Sequence, residues 1–292
     1  MKHILRKLVL TFGLSLVLVG FNACQGLSPQ SGNSQNASSI GYGYVGPERG
    51  VASPPAPTKA AERRMEDRPG LATHAGSEVY SSVEDTAFYR KSNGAPDAVD
   101  SFHYNDEEGA KVMMGGEAGG LRKHRGHFDA ANDLLSVALV NGRWAGADPY
   151  PWMTSRSMPG HKVVVGNSGA DYAISLENKS KHRIEVVASV DGIDVLDGKS
   201  ASVRKRGYTL AAGQKMRIEG FRKNSNQVKQ FRFGNVRDSA AAKQGSAAAR
   251  NVGVIGLAVW QEDQLAARQA QQAEALHRSI ANPFGGGPVS TR

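Results

Sequence analysis

The chain reads as a mainly β protein: an antiparallel β-sandwich or barrel-like domain, preceded by a long disordered N-terminal tether and followed by a C-terminal helix. Three observations predict this. Apolar and polar residues alternate with a period of two in several short runs between residues 161 and 260. Turn residues separate those runs at short intervals. The stretch before them is poor in aliphatics, and the stretch after them has the composition of a helix.

Alternation places every second side chain of a strand on one face, so one face packs and the other meets water. Val163 and Val165 begin the series. Tyr172, Ile174 and Leu176 alternate with Ala173, Ser175 and Glu177. Ile184, Val186, Ala188 and Val190 alternate with Arg183, Glu185, Val187 and Ser189. Met216 and Ile218 lie between Lys215, Arg217 and Glu219, and Phe231 and Phe233 flank Arg232. From Val252 to Trp260 the chain is nearly continuously apolar, as expected of a central strand covered on both faces. Turns fall at Asn167-Ser-Gly169, Asn178-Lys-Ser180, Ala212-Gly213 and Asn224-Ser-Asn226. Roughly seven strands are expected, in a domain over 129–260 that opens with Leu134, Val137, Leu139, Val140 and an Asn141-Gly142 turn.

The flanks have their own signatures. Lys2, Arg6 and Lys7 precede an apolar run from Leu8 to Phe21, too short to span a bilayer and of the size of a secretory signal. The run leads through Asn22-Ala23 to Cys24, the only cysteine of the chain. Residues 1–23 followed by this cysteine resemble a bacterial lipoprotein signal with its lipobox, although Phe21 and Asn22 depart from the commoner aliphatic and small residues. That resemblance implies acylation of Cys24 with fatty acid such as palmitate. The plainer reading is an ordinary secretory signal that leaves a free thiol. Gln25 stands where diderm lipoproteins kept at the inner membrane carry Asp, which implies the outer membrane, facing the periplasm. Residues 24–128 read as a flexible, low-complexity tether with short elements at most, around Glu78-Val-Tyr80 and Phe88-Tyr89. A helix is expected over 261–281, with Leu265, Leu276 and Ile280 on one narrow stripe, and a loose tail over 282–292.

The formal charge of +9 falls by three, to +6, when Lys2, Arg6 and Lys7 are removed with the signal. A basic surface favours anionic partners: lipid head groups, acidic envelope polymers or envelope proteins; nucleic acid is an unlikely partner for an exported chain. With one cysteine no structural disulfide is available, so stability rests on a hydrophobic core.

The stretch Ser189 to Ala201, SVDGIDVLDGKSA, admits three readings. A phosphate loop needs G-x-x-x-x-G-K-[ST]. Here Gly192 lies one residue too far from Gly198-Lys199-Ser200, and three aspartates stand beside it. A calcium loop needs carboxylates around the ion. Asp191, Asp194 and Asp197 are weak metal candidates, spaced by three and without a distal Glu. The third reading is two tight turns at Asp191-Gly192 and Asp197-Gly198 with a short strand between them. This is the reading adopted, and no metal or other cofactor is expected.

The pieces SVDGIDVLDGKSAS, RKRGYTL, IEGFRKNSNQVKQFRFGNVRDSAAAKQG and RNVGVIGLAVW make residues 171–259 resemble a family of uncharacterised bacterial exported proteins. The resemblance covers roughly a third of the chain. It implies a shared β domain and carries no activity.

Other constellations are weaker. His124-Arg-Gly-His127 has a chelating spacing but sits in a basic, glycine-containing stretch. Ser202-Val-Arg-Lys205 matches S-x-x-K without its companion motifs. A binding face is proposed from Arg204, Lys205, Arg206, Phe221, Arg222, Lys229 and Arg232, where cations mix with aromatics. The expectation is a non-enzymatic, lipid-anchored envelope protein whose β module binds a partner. The alternative is an exported hydrolase acting on envelope polymer, with Asp191, Asp194 and Asp197 as its best candidates.

Overall fold

A computed structural model describes residues 69–92, 94–142, 147–245 and 248–281. Cys24, the signal, the tether up to residue 68 and the tail over 282–292 lie outside the described residues.

The described residues form two sheets. The strands are β1 (Leu71–Tyr80), β2 (Ala98–Asn105), β3 (Arg122–His124), β4 (Phe128–Ala130), β5 (Leu135–Asn141), β6 (Trp152–Thr154), β7 (Val163–Val165) and β8 (Asp171–Asn178). They continue as β9 (Ile184–Val190), β10 (Ile193–Asp194), β11 (Tyr208–Leu210), β12 (Lys215–Ile218), β13 (Gly220–Asn224), β14 (Gln227–Asn235) and β15 (Val254–Gln261). Three helices accompany them: α1 (Glu107–Met113), α2 (Ala240–Lys243) and α3 (Gln264–Ser279). One sheet runs β1-β14-β8-β5-β4, with β12 also on β8 and β13 also on β14. The other runs β10-β9-β15-β2-β7-β6-β3, with β11 also on β9. Every pairing is antiparallel except β2 with β7.

The two sheets bury a common core, so the architecture is sandwich-like. Ile174, Leu176, Phe231 and Phe233 come from the first sheet, and Phe102, Val186, Val190, Ile255, Leu257 and Val259 from the second. All of these except Phe102 lie in the apolar runs read from the sequence. At the centre the Tyr172 ring stacks between neighbours, 4.2 Å from Phe233 and 5.2 Å from Phe231 by centroid. Offset stacking of this kind adds to the area term that aromatic burial supplies. β15 pairs with both β9 and β2, the central placement its apolar run implies. Its outer face is covered at Ala258 and Trp260, where Phe88 and Val187 pack.

The boundary at residue 129 is corrected. The expected tether over 24–128 holds strands from Leu71 onward. β1 pairs with β14 along most of its length, and β2 lies in the interior of the second sheet between β15 and β7. Two features hid them. β1 is broken by a register shift between Ala75 and Glu78, which interrupts the period of two. Its buried positions include the small or polar Ala72 and Thr73. β2 buries Ala98, Phe102 and Tyr104 but intersperses Asp100, Ser101, His103 and Asn105. The expected helix over 261–281 is present as α3, capped by Asp263, whose Oδ1 accepts from the Leu265 and Ala266 amides at 3.0 and 3.1 Å. None of its residues is buried, and Leu265, Leu276 and Ile280 all face solvent.

A chain that begins at Ser81 lacks the β1 partner of β14. It is expected to lose the cooperative thermal transition shown by a chain that begins at residue 69; equal melting of the two in circular dichroism would show that β1 is not part of the cooperative unit.

Candidate functional site

Asp191, Asp194 and Asp197 resolve into turns. Asp191 (φ 56°) and Gly192 (φ 77°) are both left-handed and join β9 to β10 with Val190 opposite Ile193. This is the two-residue hairpin loop whose twist matches the strands, and it demands positive φ at both positions. Gly198 (φ 66°) makes the second corner. Asp194 Oδ1 accepts from the Leu196 and Asp197 amides at 2.9 and 3.1 Å. Asp197 accepts from the Lys199 amide at 2.9 Å and holds the Lys205 ammonium at 2.8 Å on both oxygens. Each carboxylate therefore faces separate backbone or cationic donors. Among the described residues no three His, Cys, Asp or Glu side chains are grouped to hold a metal.

Asp191 does more than shape its turn. Its side chain is fully buried between the sheets. Oδ2 accepts from the Thr73 amide at 2.8 Å, and Oδ1 accepts from the Gly253 amide at 2.8 Å and the Tyr104 hydroxyl at 2.6 Å. Thr73 Oγ1 lies 2.7 Å from Tyr104 Oη and 2.5 Å from Tyr172 Oη. Each hydroxyl carries one proton. Because Tyr104 spends its proton on Asp191, Thr73 donates to Tyr104 and Tyr172 donates to Thr73. The chain of donors runs from β8 through β1 and β2 to the carboxylate at the β9–β10 turn. Burial raises the Asp191 carboxyl to about 6, against the Tyr104 hydroxyl and the Thr73, Gly253 and Val254 amides, which favour the anion. Burial, and then the Asp191 charge, also raises Tyr104 and Tyr172 well above the ordinary phenol value.

A second constellation lies on the outer face of β9 and β15. Residues 81–91 leave β1 as an irregular strap that crosses this face. Four arginines fasten it. Arg222 Nη1 donates to Ser81 O at 2.7 Å, Arg206 Nη2 to Thr86 O at 3.2 Å, and Arg183 Nη1 to Ala87 O at 2.9 Å. Arg90, within the strap, lies with its guanidinium 4.1 Å over the Trp260 ring and its Nε 2.6 Å from Glu185 Oε2. It also donates to the carbonyls of Arg204 and Lys205. Trp260 Nε1 donates to Val203 O at 3.1 Å, which fixes the β10–β11 loop from below. Glu185 is buried, takes the Gly207 amide at 2.9 Å, and lies 3.4 Å from Arg206 Nε. An open groove of about 510 Å³ follows, lined by Tyr89, Arg90, Arg204, Arg206, Asp263 and Ala266 among others. Arg206 is 72% exposed there, and no ion pair engages the exposed Arg204 side chain among the described residues.

The seven residues of the expected binding face are divided. Arg204 and Arg206 border this groove, Lys205 is tied to Asp197, and Arg222 is turned to the strap. Lys229 and Arg232 lie on β14 of the other sheet; Arg232 Nε is bonded to Asp171 at 2.7 Å. Phe221 is a correction: it is buried, edge-on to Phe231 at 5.0 Å, because its position on β13 points into the core. The two histidines of His124-Arg-Gly-His127 also separate. His124 stacks on Trp152 at 4.2 Å and bonds Thr154, whereas His127 reaches Ser175. The Lys205 ammonium of the S-x-x-K match is held by Asp197, and Ser202 Oγ accepts from the Arg204 amide at 3.4 Å, so the two side chains are spent on different partners. Sequence reasoning missed Arg90, Arg183 and Glu185; for the last two the only signal is a charge inside an apolar alternation.

Asp191→Asn tests the buried carboxylate. A carboxyl raised in the folded state binds its proton more tightly folded than unfolded, so its contribution to stability falls as pH rises from about 4 to about 6 and is level above. The wild-type minus variant difference in unfolding free energy is expected to drop by ~3 kcal/mol across that window. A difference that stays flat with pH would remove the assignment.

No family model, no curated protein and no solved structure matches the chain.

Proposed function

We propose that the protein is a lipid-anchored component of a bacterial cell envelope whose β-sandwich-like module binds an anionic envelope polymer. The observation that carries the anchor is Cys24: the chain's only thiol stands three residues after the end of a 14-residue apolar run that follows a positive stretch. A single acyl chain holds a membrane weakly, so the reading entails more than one. Charge supports the ligand class. The chain stays at +6 without its signal, and Arg204 and Arg206 border an open groove with their own loop held in place by Trp260 and Arg90. Guanidinium groups with unspent donors suit carboxylate or phosphate oxygens.

Two outcomes follow. Cys24→Ser is expected to release the protein from sedimented membranes and to abolish incorporation of labelled fatty acid; a serine variant that still sediments, with a wild-type mass that carries no lipid, ends the anchor reading. Arg204→Ala with Arg206→Ala is expected to elute from an immobilised polyanion at clearly lower salt than the wild type, since each lost contact removes released counterions. Elution at the same salt ends the ligand reading and leaves the anchor untouched.

A further inference from the structure

Four of the seven methionines of the chain converge on one small cluster that the proposed function does not use. Met114 and Met153 are buried in it with Ala110, Val163 and Val165, and the partly buried Met113, Leu121 and Met158 close it. The cluster lies beneath α1, on the face of the second sheet turned away from the main core. Register places Met153 beside Val163 and Val163 beside His103, in one row across β6, β7 and β2. His103 therefore lies on the cluster's face of the sheet, with Val163 between it and Met153. His161 stacks on His103 with centroids 6.1 Å apart, and its amide bonds Met158 O at 3.2 Å. Asn105 directs its Nδ2 at the Met113 sulfur, 3.5 Å away.

We propose that this thioether cluster, with the His103–His161 pair at its edge, binds one soft monovalent metal ion, Cu(I). The donor chemistry selects it. Thioether sulfur and neutral imidazole are soft to borderline ligands that suit Cu(I) and leave hard cations unsatisfied. Glu107, the carboxylate of the first turn of α1, is taken by Lys111 and Lys123. A core that needed only to fill space is better specified by leucine, whereas methionine brings three rotatable bonds and a polarizable sulfur, which lets separate side chains converge on one ion. Met113 and Met158 are the partly exposed members, and they give the ion its way in.

The test uses the full chain carrying Cys24→Ser, so that the thiol takes no copper. Under anaerobic reducing conditions it is titrated with Cu(I) in competition with bicinchoninate. The expected result is one equivalent of Cu(I) bound and a higher melting temperature with the metal than without. Met113→Leu with Met158→Leu, which conserves volume, and separately His161→Gln on the surface, are each expected to weaken Cu(I) binding about tenfold or more. Metal-free melting of the His161→Gln chain is expected to match its parent, which separates ligand loss from unfolding even where the double variant folds poorly. Failure of the parent chain to take copper from bicinchoninate, or unchanged affinity in both variants, overturns the proposal.

Discussion

The constraint on which the rest of the structure depends is the solvation of one buried carboxylate. Asp191 has no cation against it among the described residues; two backbone amides and a tyrosine hydroxyl satisfy its oxygens instead. Removing a charge from water is costly unless hydrogen bonds replace the lost solvent, and here the network that supplies the replacements draws on three strands and a loop. Thr73 brings β1, Tyr104 brings β2, Tyr172 adds β8 through Thr73, and Gly253 brings the entry to β15. The anion can be accommodated only if both sheets are in register with the β9–β10 turn. A polar network of this kind, fully satisfied, defines a single arrangement where apolar contacts alone would tolerate several.

The strap is the counterpart on the outer face. Phe88 fills the apolar ground formed by Val187, Ala258 and Trp260, and arginine side chains supply the hydrogen bonds that an irregular backbone lacks from neighbouring strands. Two of the four arginines, Arg90 and Arg206, also line the groove. Arg90 joins the two roles: it pairs with buried Glu185, covers Trp260 and anchors the loop that carries Arg204 and Arg206. Its guanidinium suits all three tasks because it is planar and carries five donors. Beyond the strap, α3 is held by its Asp263 cap, by the Asp263 amide on Tyr89 O and by its first turns, while its later turns stand in solvent.

The candidate site was partly legible beforehand. Asp-Gly pairs announce their turns because few other dipeptides accept positive φ, and both turns are where the residues place them. The groove was half legible: Arg204 and Arg206 stand out as a basic run, but nothing in their neighbourhood reveals that Arg90, more than a hundred residues earlier, holds the Arg204 and Lys205 carbonyls. Phe221 illustrates the opposite failure. An aromatic between glycine and arginine looks like a surface contact until the pairing of β13 with β14 sets its direction.

What the residues determined by themselves is everything local: the period-two strands from Val163 to Trp260, the tight turns between them, and the helix that begins at the Asp263 cap. These follow from backbone sterics and from the alternation of apolar side chains, which act within a few residues. Tertiary structure alone decided that β1 and β2 complete the two sheets, that Asp191 is a buried junction and not a ligand on the surface, and that four methionines meet under one short helix. Those outcomes rest on contacts between residues some forty to more than a hundred and fifty positions apart in the chain. The small and polar side chains that make several of them, Ala72, Thr73 and Asp191, carry no hydrophobic period by which to be recognised.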